Sequence, residues 1–261
     1  MSAIVAEPIS TYLPLLVEGR PQAFLGIFTK NPVISDPRAG QIEGWDAVEQ
    51  FAVESCDWLE QRKARVVSGR VTRDASRSVA ECVLVLEGDE DGQVELPVAL
   101  VGERHGDRLA QVRVYHSMWP LEGRHHVRAP LLPERADLVL PPVVRRYQDA
   151  LAAGVLEDVL ELFEPDGYAR EPAGGEHLHQ GRDGLARLYG GLFAVGGFPL
   201  EHCTATDDGT CTALEYNVVS WGGRVLEPQA GVACYERGPS GKLVAARIYD
   251  DVAVEEGGGD G

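Results

Sequence analysis

The sequence predicts an α+β chain of two tandem domains, each a cone-shaped barrel in which three N-terminal helices pack on a curved antiparallel sheet. Three observations predict it. First, the chain repeats itself. A Tyr stands 24 positions before an acid–Pro pair in both halves (Tyr12 to Asp36-Pro37, Tyr147 to Glu171-Pro172), and "VRVYHS" (112–117) near the end of one half answers "ARIYDD" (246–251) near the end of the other. Second, each half opens with helical periodicity and closes with strand-like runs separated by turn signals, the order of an α+β domain whose helices cover one side of a meander. Third, residues 122–141 carry Pro130, Pro133 and Pro141 and no periodicity, as a moderately stiff linker does. The expected organisation is a first domain over 1–121, the linker, a second domain over 142–254 and a disordered Gly-rich tail over 255–261.

The elements follow in order. Tyr12 and Leu16 mark a first helix with Pro14 in its first turn and Gly19 as its stop. Phe24, Leu25 and Phe28 form a second apolar stripe. In the other half, Val143, Val144, Tyr147 and Leu151 recur at helical spacing behind Pro141-Pro142 and before Gly154; Leu156, Val159, Leu160 and Phe163 form the next stripe, ending near Pro165. The acid–Pro pairs read as turns, because proline pushes the residue before it out of the helical region. Third helices start at Gly44 and Gly181. Four strand-like segments then fill the rest of each half, with "GDEDG", "HGD", "DDG", "WGG" and "GPSG" as their turns.

Of the 261 residues, 44% are hydrophobic and 25% charged, the profile of a globular protein. Twenty-four Lys and Arg against forty-one Asp and Glu give a net charge of −17, which argues against nucleic acid and anionic membranes as partners. The five cysteines lack CxxC spacing, so neither a disulfide framework nor a zinc site is expected; Cys203 and Cys211 either face each other across a hairpin or are separate reduced thiols. The N-terminal ten residues lack a basic and apolar leader pattern and no apolar run reaches membrane-spanning length, so a cytoplasmic protein is expected.

Three helices, an acid–Pro turn and a four-stranded meander resemble the nuclear transport factor two-like superfamily, which includes ketosteroid isomerases, SnoaL-like polyketide cyclases and limonene-type epoxide hydrolases. "VVRRYQDALAAGVLEDVLELF" is similar to the opening helices of ketosteroid isomerase, and the tandem pair resembles the two-domain epoxide hydrolases of polyether biosynthesis. The resemblance implies Tyr12 and Tyr147 as hydrogen-bond donors to a developing oxyanion and Asp36 and Glu171 as general bases. The isomerases carry a second, protonated Asp on the third strand; gap-free counting puts it at Ala99 and Ala233, so both copies lack it. The limonene-type Asp of the last strand falls on Val114 and Ile248. His116 and Asp250, two residues on, share that inward face and are second-line acid–base candidates.

Each candidate has a structural alternative. The tyrosines fit core positions with a buried partner for the hydroxyl, and the carboxylates fit turns. Glu81 and Glu215 occupy matching strand positions, either as pocket carboxylates, with Glu81 forming a proton-sharing dyad with Asp36, or as salt-bridge partners of Arg113 or Arg247. Glu176, His177 and His179 read as a solvated loop rather than a metal site. The expected function is cofactor- and metal-independent acid–base chemistry on an apolar small molecule: cyclisation, isomerisation or epoxide opening of a polyketide-like substrate. The alternative is a non-catalytic ligand-binding or scaffolding protein of the same fold. Back-to-back packing of the halves as a pseudo-dimer, or a homodimer, is the expected assembly.

Overall fold

A computed structural model describes residues 7–88, 92–174 and 177–252. The chain divides into two compact units, Met1–His116 and Ser117–Gly261. The Gly-rich tail lies outside the described residues.

The first unit runs α1 (Pro8–Val17), α2 (Pro21–Leu25), β1 (Phe28–Asp36), β2 (Gly40–Glu43), α3 (Trp45–Gln61), β3 (Arg65–Arg73), β4 (Arg77–Glu87), β5 (Gln93–His105) and β6 (Arg108–Tyr115). The second begins with a short helical turn, α4 (Trp119–Glu122), and an irregular stretch. It then repeats the order with α5 (Pro142–Ala153), α6 (Leu156–Glu161), β7 (Phe163–Arg170), β8 (Leu178–Gln180), α7 (Gly181–Leu192), β9 (Leu200–Asp207), β10 (Cys211–Trp221), β11 (Arg224–Arg237) and β12 (Leu243–Asp250). The sheets have one topology, β2-β1-β6-β5-β4-β3 and β8-β7-β12-β11-β10-β9.

Two expectations are corrected here. The sheets are mixed, not antiparallel: β1 runs parallel to β6, and β7 to β12. Each also has six strands among the described residues, because the stretch leading into the acid–Pro turn is a strand and not the end of a helix. Phe28 and Phe163 start those strands, and a short return strand pairs beyond the turn. Both phenylalanines are buried, so the apolar stripe was real but its period belonged to two elements. The cysteine alternatives also resolve. Cys211 lies at the start of β10 and Cys203 in the middle of β9; both are buried and no disulfide joins them.

Helix α5 shows why the local sequence folds as it does. Pro142 occupies its first turn, where the missing N–H costs no hydrogen bond. Val143, Tyr147 and Leu151, with Val144 and Gln148 beside them, form its buried face. Gly154 ends it with φ of +68°, its N–H donating to the carbonyls of Ala150 and Leu151. A Cβ there would also lie 2.6 Å from the backbone nitrogen of Gly197. Gly154→Ala is therefore expected to cost about 2 kcal/mol or more, from the left-handed backbone and the contact together. A lowered chemical-unfolding midpoint checks this; an unchanged one would show that the helix end reseats freely.

Candidate functional site

The second unit encloses a cavity of about 340 Å³, and the first one of about 50 Å³. Strand register explains what faces the larger one. Across the sheet, Leu214 pairs with Ala233 and Ala233 with Ile248; the next cavity-facing rank is Tyr216, Gly231 and Asp250. Because side chains alternate along a strand, both ranks share one face, and Tyr216, Tyr235, Ile248 and Asp250 all line the cavity. Phe198, Trp221, Leu188, Leu192 and Val218 supply apolar wall; the rings of Phe198 and Trp221 lie 4.8 Å apart.

The register also corrects the position expected for the second acid. Ala233 does face the cavity opposite Ile248, but in the first unit Val114 pairs with Leu100, so Ala99 points to the other face. The turns between the paired strands differ in length, and gap-free counting slips one copy by one residue, which reverses the face. Neither Leu100 nor Ala233 is acidic.

Tyr216 donates its O–H to Oδ2 of Asp250 at 2.7 Å, reaching across β11. It can do so because Gly231 stands between them: a Cβ at that position would lie 2.6 Å from the Tyr216 ring and 2.8 Å from the Asp250 Cβ. This is the close approach that an interior strand glycine permits. Burial pushes the Asp250 carboxyl up to about 6. The Tyr216 hydrogen bond opposes the push, the neighbouring Asp251 carboxylate adds to it, and the Val252 N–H and the charge of His125 oppose it. Burial first, and then the Asp250 charge, hold the Tyr216 hydroxyl well above its ordinary value.

Tyr147 and Tyr189 line the same cavity. Their hydroxyls lie 2.6 Å apart, edge to face, and burial first, then the partner, raises Tyr147; burial also raises Tyr189. Glu171, just past β7, lies at the mouth with its Oε1 2.6 Å from Nε2 of His179 and 3.7 Å from Nδ1 of His177. Glu176 lies outside the described residues.

In the first unit, Tyr12, Asp36 and His116 are brought together around the small cavity. Asp36 accepts the backbone N–H groups of Arg38 and Ala39 through Oδ1, at 2.8 and 3.0 Å, which closes its turn. Tyr12 is buried against Phe24 and Phe28, and its hydroxyl has no hydrogen-bond partner among the described residues, unlike the satisfied core tyrosine of the structural alternative. Burial, and then the Asp36 charge, raises it well above its ordinary value. Leu84, Leu96, Val98, Phe51 and Trp58 fill the space that is open in the second unit.

Glu81 is not brought to Asp36. It pairs with Ala99 on the face away from the small cavity and borders a separate 20 Å³ pocket, so the dyad alternative is not formed. Glu215, equally buried, faces away from the large cavity and accepts the Thr204 hydroxyl at 2.5 Å. Arg113 and Arg247 pair with Glu103 and Glu236.

Sequence reasoning missed Tyr189, Tyr216, Gly231, His125 and Asp251. A glycine inside an otherwise continuous strand pattern was the available signal for Gly231, and through it for the Tyr216–Asp250 contact.

The SnoaL-like domain model matches residues 144–248. The match covers most of the second unit's fold-forming elements, and the first unit repeats their strand order, as a tandem duplication does. No curated protein matches the chain. Similar solved structures include a candidate polyketide cyclase from Sinorhizobium meliloti (21% identity, 42% of this chain and 94% of that one, TM-score 0.36). The epoxide hydrolase/cyclase-like enzyme SalBIII of pyran ring formation in the polyether salinomycin is 17% identical over 41% of this chain and 86% of its own, TM-score 0.35. A protein of ketosteroid isomerase-like fold from Catenulispora acidiphila is 13% identical over 46% and 92%, TM-score 0.40.

Two measurements test this electrostatic picture. An acid whose folded pKa is raised binds its proton more tightly when folded, so ionising it costs stability: nothing below about pH 4, and up to about 3 kcal/mol above pH 6 for the two-unit shift from 3.8 to about 6. Asp250→Asn is therefore expected to stabilise the protein near pH 8 and to leave it unchanged near pH 4, as read by chemical unfolding at the two pH values. Tyr216→Phe removes a donor that favours the carboxylate, so carbon NMR titration of Asp250 is expected to give a value above about 6; a fall would reverse the assigned role.

Proposed function

We propose that the second unit is the working site of a cofactor-independent acid–base enzyme acting on an apolar, polyketide-like substrate, and that the reaction is ring closure or opening of an epoxide. The observation that carries the reading is Asp250: a carboxyl with its pKa raised to about 6, in the wall of an otherwise apolar cavity large enough for a small molecule. A carboxylate desolvated in this way is a stronger base than one in water and titrates near neutral pH, where a proton-transfer group is most effective.

In this reading the Asp250 carboxylate takes the proton of a substrate hydroxyl. The freed oxygen attacks an epoxide carbon; the new C–O bond forms as the epoxide C–O bond breaks, and the released alkoxide is protonated from the cavity wall. Tyr216 holds the carboxylate in place. The Tyr147–Tyr189 pair, its hydroxyls kept neutral, supplies a hydrogen bond to oxygen, and Glu171 with His179 borders the entrance. The first unit, with its small filled cavity, serves the fold.

Turnover of an epoxyoctanol whose hydroxyl can close a five- or six-membered ether is the test. Activity is expected to rise with pH through about 6, and Asp250→Asn to lower kcat by about 100-fold or more with folding intact. Loss on Asp36→Asn with Asp250→Asn unaffected would move the chemistry to the first unit. A second reading, ligand binding without chemistry, is favoured by the missing second acid at Ala233; binding of the epoxyoctanol with no product from wild type would select it.

A further inference from the structure

Trp119, at the start of α4, and His125, from the irregular stretch after it, line the cavity in addition to its other elements, and Asp251 holds this segment there. Asp251 is 7% exposed, and its two oxygens take four partners. Oδ1 accepts the Ser117 hydroxyl at 2.6 Å and stands 2.8 Å from Nδ1 of His125. Oδ2 accepts the backbone N–H of Met118 at 2.9 Å and of His126 at 2.7 Å. The Ser117 Oγ in turn accepts the backbone N–H of Trp119 at 3.0 Å, and the Trp119 indole stacks on the His125 ring with centroids 4.9 Å apart. Ser117, Trp119 and His125 all border the cavity.

A ring nitrogen beside a carboxylate is the protonated one, so Nδ1–H donates to Asp251 and Nε2 is the nitrogen left for a ligand. His125 is electrostatically close to Asp250, since its charge opposes the rise of that carboxyl.

We propose that His125 is the cavity's second proton-transfer group, a donor through Nε2–H to the oxygen of a bound epoxide or carbonyl compound, with Asp251 as its positioning residue. This deepens the acid–base reading above and rests on it for the reaction: Asp250 removes the hydroxyl proton, and His125 gives one to the alkoxide as the epoxide C–O bond breaks. The two then differ by one proton, which returns from Asp250 to His125 directly or through solvent. Asp251 meets His125 directly, and the titratable groups that line the same cavity are Asp250, Glu171, His177 and the tyrosines Tyr147, Tyr189, Tyr216 and Tyr235, with Tyr216 bonded to Asp250. On its own stretch, Glu122 is taken by Arg124 and His126.

The test combines nitrogen-15 NMR of the full-length protein with kinetics, using the epoxyoctanol as probe and Trp fluorescence to establish that the cavity is saturated. The expected result is a protonated Nδ1 in wild type and a His125 Nε2 resonance that moves when the probe fills the cavity. Asp251→Asn should abolish the Nδ1 preference. His125→Gln should lower kcat about 100-fold with KM within about threefold, and should remove one limb of the pH profile while keeping the rise through about 6 assigned to Asp250. An Nε2 resonance that does not move at saturation overturns the proposal, whatever the turnover. A resonance that moves in a wild type that makes no product overturns the enzymatic reading instead, and leaves His125 as a hydrogen-bond donor held by Asp251. Unchanged kcat in His125→Gln, where wild type turns over, overturns the proton-transfer role.

Discussion

The second unit depends on one contact: Tyr216 reaching across a glycine to Asp250. A carboxylate desolvated among Tyr, Trp, Phe and Leu side chains is costly unless a donor meets it. The hydroxyl supplies that donor, and only the missing side chain at Gly231 lets it arrive from two strands away. The contact leaves the carboxyl poised near neutrality, where both protonation states are accessible. A shorter or bulkier rank at these positions would fill the space, as the first unit illustrates. There the matching last-strand position is His116, Val98 projects toward the same small cavity, and the volume falls to about 50 Å³.

The duplication thus preserved a topology and let the interiors diverge. Both sheets have the same strand order and the same single parallel pairing, a framework that core residues of the right size and pattern maintain. The cavities do not share a polar arrangement. In the first, Asp36 is committed to closing its own turn through two backbone N–H groups. In the second, the corresponding Glu171 is one methylene longer and meets His179 at the mouth instead. Equivalent positions in a repeat therefore carry different chemistry, because a site needs a void as well as a residue.

Asp251 extends the same logic outward. A buried carboxylate with four donors around it is well satisfied, and in satisfying it the chain fixes a stretch that has little regular structure of its own. The aromatic stack of Trp119 on His125 then sits at the cavity rim by virtue of one residue at the end of the last strand. Consecutive acids, Asp250 and Asp251, face opposite ways from a strand end and so act on different things: one on the cavity, the other on the stretch that borders it.

The sequence by itself determined the duplication, the helical openings and the strand runs, because these depend on local periodicity and on turn residues such as Gly154. It also determined that Tyr147, Glu171 and Asp250 belong to one half and Tyr12, Asp36 and His116 to the other, and the structure gathers each set around one cavity. Only the tertiary structure decided which face Ala99, Glu81 and Glu215 take, because one residue of turn length reverses a strand's faces and no local signal records it. It alone decided that Tyr216 meets Asp250, since that contact spans 34 positions and rests on pairing register. And it alone decided that one cavity is open and the other nearly filled, because a void is the sum of many side-chain volumes brought together from distant parts of the chain.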